Sequence, residues 1–453
     1  MQNYLALISQ RLSPGLRKIF NNFSWLLGER LLSMVISLVI NIYVIRYFGP
    51  TIFGQFSYAI SYVGLFEAIA KLGLEPIVIR NLIVQESLSF EILGTAFILK
   101  LYATGLTIFL AATSIIFTTK NQETQILVWI VALSLSFSTF DVIDFWFQAR
   151  VLAGYMAFVR SLQLIISSLI KVIFIHFQFS IISFAWILCI DGLMKILGML
   201  GAYKNQKQSW FNWRINKYQI KSLLKDSWPL ILSSLMVTIY MRIDQIMLGN
   251  MASLQAVGDY AAAIRFSEVW YFIPVIICSS VFPTILRARQ RSNTEYLERL
   301  QQLYDFMVWL SLIISILVSF TANFLVDTLL GPEYHQSATI LIWHIWSLPF
   351  VFLGVALGKY LTAENFTRFS FATTSIGMIT NIILNYFLIP SYGAVGAAIA
   401  TMVSYSIAGY FSSLIYRPLH QNFWMLTRAL LIPFRVKQNL WYYQQIRAMI
   451  TKH

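Results

Sequence analysis

Charged side chains recur inside stretches that are otherwise apolar, and their spacing suits ion binding better than bond-breaking chemistry. Arg30 follows Glu29, Lys100 closes the run GTAFILK, Arg242 precedes Asp244 by two positions, and Arg265 precedes Glu268 by three. On a helix a gap of three puts Arg265 and Glu268 on one face, whereas a gap of two sends Arg242 and Asp244 to different faces. Asp141, Asp144 and Gln148 also repeat at helical spacing, as do Arg160, Gln163, Ser167 and Lys171. A cation at mid-bilayer costs about 2.5–3.5 kcal/mol on insertion scales, so these stripes call for partners or a wet cavity rather than lipid. Arg46, Arg160, Lys195 and Lys359 stand near enough to the ends of their runs to snorkel. The carboxylates Glu29, Asp141, Asp144, Asp244 and Glu268 are then ion-coupling sites or plain ion-pair partners. Pairs such as Glu29–Arg30 and Arg265–Glu268 that only glue helices together remain the competing reading.

Several other chemistries are disfavoured. A nucleotide-driven pump needs a phosphate-cradling Gly-rich loop ending in Gly-Lys-Ser/Thr. The nearest string, Gly354 to Lys359, has the wrong spacing, is followed by Tyr360 and lies in an apolar run. Cys189 and Cys278 both sit in apolar runs, so no disulfide framework is expected, and the five histidines show no metal-ligand spacing. No cofactor or metal is expected. The loops at 118–123, 331–336 and 390–393 are too short to build the catalytic surface of a glycan polymerase, ligase or glycosyltransferase.

The elements that must position these charges are membrane helices. Of 453 residues 58% are hydrophobic and only 11% charged, with a mean hydropathy of +0.68. A soluble domain carries about 25% charged residues. The 35 Phe, 23 Tyr and 13 Trp fit lipid-facing and interfacial positions. A helix crosses about 30 Å of hydrocarbon in about 20 residues. Apolar runs of that length predict twelve spans, near 23–46, 51–73, 91–117, 124–149, 155–177, 180–201, 224–248, 255–286, 303–330, 337–363, 368–389 and 391–416. The fold class is therefore all-α and polytopic. No cleavable signal peptide is expected, because residues 1–18 lack a long apolar core. With the N-terminus inside, the clusters of Lys and Arg fall on one side of the membrane: six in 203–225, four in 287–299 and six from Arg417 onward. The bias places both termini in the cytoplasm. The organisation is a six-helix lobe over 1–202, a basic amphipathic linker over 203–225, a second lobe over 226–416 and a basic tail over 417–453. Linker and tail alternate basic residues with aromatics, which suits an anionic leaflet better than nucleic acid.

The two halves carry a repeat. YVIRYFGPTIFGQFSYA at 43–59 and MRIDQIMLGNMASLQAVGDYAAA at 241–263 each join an apolar helix end to a Gly, a short turn, a second Gly and a Tyr-Ala pair. Transporters built by duplication place their pathway between the repeats. Near the end, Asn381 and Asn385 share a helical face, Pro390 and Gly393 mark a turn, and Gly396, Ala400 and Ser404 form a small-residue stripe.

The segment 381–401 closely resembles the eleventh-to-twelfth helix hairpin of polysaccharide exporters in the multidrug/oligosaccharidyl-lipid/polysaccharide (MOP) superfamily. Gly49-Pro50 with Phe53-Gly54 is similar to that family's first hairpin. Gly249 with Val257-Gly258-Asp259-Tyr260 resembles its counterpart in the second half, and Phe147-Gln148-Ala149 the end of its fourth helix. The resemblance implies a flippase for undecaprenyl-diphosphate-linked oligosaccharide in O-antigen or exopolysaccharide biosynthesis, working at the cytoplasmic membrane by alternating access between two pseudo-symmetric lobes. It also implies a cationic central cavity. That role falls on Arg30 and Arg265, with Arg242 and Lys100 behind them, because Arg and Lys pair with phosphate through charge-assisted hydrogen bonds. Further expected partners are anionic membrane lipids and polysaccharide polymerase machinery. The default state is a monomer. An ion-coupled multidrug extruder of the same superfamily is the alternative, disfavoured by the basic interior.

Overall fold

The structure is a computed structural model. It describes the backbone over 14–450 and the side chains of 28, 32–366 and 369–444. Glu29 and Arg30 therefore lie outside the residues whose side chains are described. Every regular element among the described residues is helical.

Nine of these helices are long and apolar enough to cross a membrane, and a tenth span forms if the bent pair Pro332–Ile345 and Leu348–Ala363 counts once. Two of the nine, Leu32–Val84 and Phe369–Ile415, run for 53 and 47 residues. Each would reach about 70–80 Å as one straight helix, more than twice the hydrocarbon thickness. Each is in fact a hairpin. Gly49 breaks the first at φ 69°, ψ 170°, and Gly393 breaks the second at φ 56°, ψ −133°. Both conformations are ones that only glycine adopts without strain. Counting each hairpin as two spans gives twelve, at the positions the apolar runs predict. The protein is a multi-pass membrane protein.

The chain divides into two compact units, one ending at Arg242 and one beginning at Ile243. The division falls inside the seventh span, Lys217–Met251, about twenty residues beyond the 203–225 linker.

In the first unit the third span is Ser89–Thr118, the fifth Ala153–His176 and the sixth Ile181–Asn205. The fourth is interrupted. Gln122–Ser134 and Val142–Ala149 are α-helical, and Leu135–Asp141 between them is a 3-10 turn. Such a stretch inside a helix often marks a functional hinge. A core of Leu74, Ile92, Val142, Phe147, Met156 and Tyr203 closes the end of this unit that carries Arg80 and Arg150.

The middle of the linker is docked rather than loose. The Arg214 amide donates to the Phe90 carbonyl at 3.1 Å, and the Asn216 amide donates to Thr95 Oγ1 at 3.0 Å. The Asn216 side chain donates to Glu91. Trp213 packs at 5.5 Å on Phe97, its ring tilted, and Phe140 packs at 5.0 Å on the same ring. Phe211 and Tyr218 are exposed, so one face of the strap grips the protein and the other is left open.

In the second unit the eighth span is Leu254–Glu268 continued by Phe272–Arg291, and the ninth is Asn293–Leu329. Two tail helices, His420–Leu430 and Val436–Ile450, follow the twelfth. Asp305 of the ninth span anchors them. It accepts from Arg435 at 3.2 Å and from Tyr442 at 2.9 Å, and burial beside that carboxylate pushes the Tyr442 phenol above its usual pKa.

The repeat read from sequence is partly visible in three dimensions. Gly54 and Gly258 are both buried in the helix after the turn, and Tyr58 and Tyr260 are both 2% exposed. The other pair differs. Gly49 forms its turn, whereas Gly249 remains in the seventh helix and the chain reverses at 252–253.

Candidate functional site

Buried charges gather in the first unit on spans three to six. Lys100, on the third span, has a side chain only 3% exposed and lies 3.8 Å from Asp141 Oδ2. Asp141 ends the 3-10 break of the fourth span, and its other oxygen accepts from Lys195 Nζ of the sixth span at 2.7 Å. One carboxylate thus serves two lysines. One turn further, Asp144 accepts from Arg160 Nη1 of the fifth span at 3.2 Å. Toward the opposite end, Asp191 of the sixth span accepts from Ser167 Oγ at 3.0 Å and lies within electrostatic reach of Lys171. Oδ1 of Asp144, Oδ1 of Asp191 and Oγ1 of Thr104, one turn above Lys100, are buried without a hydrogen-bond partner among the described residues. Buried polar groups rarely go unsatisfied, so this space suits water or a polar ligand.

Of the two polar stripes read from sequence, the first faces protein and the second does so at Arg160, Ser167 and Lys171, whereas Gln163 lies on a more open wall. The Asp141–Asp144–Gln148 stripe meets Lys195, Arg160 and Glu75, the last at 3.3 Å from Gln148 Nε2. Lys195 and Arg160 hold interior ion pairs instead of snorkelling. Asp191 is a residue the sequence reading missed. It stands alone among apolar neighbours in ILCIDGLMK, and only its distance of four residues from Lys195 hinted at a polar face.

The strap steadies this network, since Phe97 is one turn from Lys100 and Phe140 adjoins Asp141. A Cβ added at Gly94 would stand 2.4 Å from the Arg214 carbonyl oxygen, which is backbone and cannot swing aside. Gly94→Val is accordingly expected to expel the strap. Limited proteolysis within 206–216 should accelerate at least fivefold against wild type; an unchanged rate would mean that the strap holds without this close approach.

In the second unit the polar centre is Asp244, on the seventh span and 5% exposed. Tyr260 Oη donates to it at 2.6 Å, Asn385 Nδ2 at 2.6 Å and Thr401 Oγ1 at 2.7 Å. Asn385 also donates to Asn381 Oδ1 at 3.1 Å, so the Asn381/Asn385 face turns inward. The Asn385 carbonyl oxygen is buried without a donor. A carboxylate, two amide oxygens and two hydroxyls gathered here, with no Lys or Arg among Asp244's hydrogen-bond partners in the described residues, make a setting for a hard monovalent cation or a proton. Nearby, His344 Nδ1 lies 2.7 Å from Ser267 Oγ and its ring packs against Tyr260.

Among the other expected residues, Arg242 lies along Gly64 of the second span, 3.5 Å from where a Cβ would be. Arg265 is exposed, whereas 257–264 and 266–267 around it are buried. Glu268 is half-buried. The Asp141 network and the Asp244 centre stand in different units.

The fourth span of each half is broken. In the first half the break is Leu135–Asp141; in the second, His335–Ile345 and Leu348–Ala363 meet at a 42° bend. Interrupted apolar segments at matching positions of two repeats point to the working region of a transporter.

Comparison with known proteins bears on this arrangement. The family model described as polysaccharide biosynthesis protein matches residues 19–289, well over half of the chain. The protein belongs to that family. A second model, MatE, matches residues 229–387 of this polysaccharide biosynthesis family member. The probable flippase AglR of Haloferax volcanii is 30% identical over 172 residues, 37% of this chain and 36% of the relative. The probable low-salt glycan biosynthesis flippase Agl15 of the same organism is 26% identical over 204 residues, 43% of each chain. The chain thus matches less than half the length of those two relatives. The capsular polysaccharide biosynthesis protein CapF of Staphylococcus aureus is 23% identical over 85% of this chain and 96% of the relative. Among solved structures, the lipid II flippase MurJ in an inward closed conformation superposes with TM-score 0.69 at 16% identity, over 93% of this chain and 95% of that one. An inward-facing MATE family transporter of the MOP superfamily gives 0.65 at 13% identity, over 88% and 95%. These likenesses give the family member a MOP fold.

Proposed function

We propose that this protein is a flippase that carries undecaprenyl-diphosphate-linked oligosaccharide across the cytoplasmic membrane for cell-surface polysaccharide synthesis, by alternating access, with both termini in the cytoplasm. One observation carries the reading. In the membrane-spanning network of the first unit four cations, Lys100, Arg160, Lys171 and Lys195, meet Asp141, Asp144 and Asp191, with Glu75 in electrostatic reach, and Asp141 is shared between two of the cations. These clustered cations, beside the orphaned Thr104 hydroxyl, offer a diphosphate the charge-assisted bonds it loses on leaving water. The names of the relatives AglR and Agl15 support the same class of activity. Arg265 and Arg242 are further cations for the headgroup. Asp244 is the coupling site for Na+ or a proton. The exposed Phe434, Val436, Leu440 and Tyr443 of the tail, interleaved with exposed Lys437, suit contact with anionic lipid.

The test is reconstitution of the full chain in vesicles with fluorescent lipid-linked glycan, scoring the fraction that becomes accessible to an outside reagent. Wild type moves the lipid under an ion gradient. Arg265→Ala, at an exposed position, reaches the membrane at normal level and loses at least 90% of transport. Absence of movement by wild type under any gradient overturns the proposal, and normal movement by Arg265→Ala removes that residue from the site. The MatE match over 229–387 favours one second reading, an ion-coupled extruder of cationic compounds, which the same vesicles test with a cationic dye.

A further inference from the structure

The fifth and sixth spans carry a charged surface and an apolar one side by side. One bears Arg160, Ser167 and Lys171 with Asp191 and Lys195. The other is a groove of about 720 Å³, lined by Phe158, Leu162 and Ile166 of the fifth span and Met194, Leu197 and Gly201 of the sixth. Its volume is within the range of small-molecule sites. Phe158, Leu162 and Leu197 are exposed along it, and a Cβ added at Gly201 would meet nothing within 4 Å, so the glycine leaves open room. Tyr155 and Asn205 mark the end of the groove at which these two helices begin and finish. From there to Ile166 the fifth helix rises about 17 Å, half the hydrocarbon thickness.

We propose that this groove seats the isoprenoid chain of the transported lipid while its diphosphate engages the adjoining cation network on the same two helices. The inference rests on the flippase reading. Three features select this occupant. The groove lies within membrane-spanning helices, where a hydrocarbon chain is the available apolar ligand. Its lining alternates with the network in sequence: Val159 and Phe158 precede Arg160, and Met194 precedes Lys195. Head and tail of one amphiphile are thus served about one helix diameter, ~10 Å, apart. Finally, a furrow between two helices packed 8–10 Å apart admits one chain abreast; an isoprenoid diphosphate has one chain, whereas a glycerophospholipid has two. Gln163, half-buried, lies on the same wall.

The experiment uses the full chain in phosphatidylcholine nanodiscs and two radiolabelled probes, undecaprenyl diphosphate and the short geranyl diphosphate. Wild type should bind the long chain at least tenfold more tightly. Gly201→Phe, which fills the open floor, and Leu197→Gln, an exposed substitution with little burden on folding, should each bring long-chain affinity down to the geranyl level and leave geranyl binding unchanged. Retention of the tenfold preference by both variants overturns the proposal, as does equal competition by phosphatidylglycerol. Equal binding of the two probes by wild type removes the groove and leaves the flippase reading standing. Binding of neither probe overturns both.

Discussion

Asp141→Asn is expected to destabilise the protein more than any other single change in the first unit. Asn keeps the shape of Asp but withdraws the charge that faces Lys195 at 2.7 Å and Lys100 at 3.8 Å. Two ammonium groups then lose the counter-ion they share and keep only the more distant Glu75 and Asp144, and Lys100 has almost no access to water. Removing one partner of a buried pair typically costs 3–5 kcal/mol. Asp141 and Lys195 are about a quarter exposed, so about 3 kcal/mol is expected here, read as a fall in the detergent-solubilised thermal midpoint. Lys195→Met in the same chain should recover more than half of that fall, because the remaining lysine then lacks only one contact. The double variant should still transport poorly, since a cation proposed for the headgroup is gone. If Asp141→Asn melts like wild type, the lysines are not held by this carboxylate. If the double variant melts no higher than the single, the coupling between the two residues is absent.

Asp244→Asn should leave the fold intact and abolish ion-driven transport. The substitution keeps an acceptor oxygen for Tyr260, Thr401 or Asn385 but removes the charge that a cation or proton would neutralise. Asp244→Ala differs, because it strands three donors. Tyr260 and Thr401 lie 3.2 Å apart and can partner each other, so the loss is on the order of 2–3 kcal/mol. Ion dependence of transport by Asp244→Asn equal to that of wild type would move the coupling site elsewhere. A stable, fully coupled Asp244→Ala would remove any role for the carboxylate.

The sixth span illustrates why the network was only half legible. Reading Lys195 as a snorkelling residue relied on its distance from the helix end. Along the chain that distance is real, since Asn205 closes the helix ten residues later. What the chain does not reveal is which neighbour the Lys195 face meets. A lysine can snorkel only if its helix face looks outward. Here that face looks at the 3-10 break of the fourth span, and Asp141 offers a nearer partner than water. The linker shows the same gap. Its aromatic and basic composition marked it as interfacial, and Phe211 and Tyr218 are indeed exposed. Trp213 instead packs onto Phe97, because Gly94 allows the backbone of Arg214 to come close.

The amino-acid sequence alone determined the twelve apolar runs, the glycine turns at Gly49 and Gly393, the segregation of Lys and Arg, and the faces that carry polar stripes. Each follows from local rules: the length needed to cross hydrocarbon, the backbone angles glycine permits and the 3.6-residue period. Tertiary structure decided which stripe meets which. Asp244 finds Asn385 and Thr401 at separations of 141 and 157 residues, and Asp141 collects two lysines from different spans. A helical period fixes the direction of a side chain about its own axis and leaves open which neighbouring helix lies in that direction. Only the packing of complete helices settles that choice.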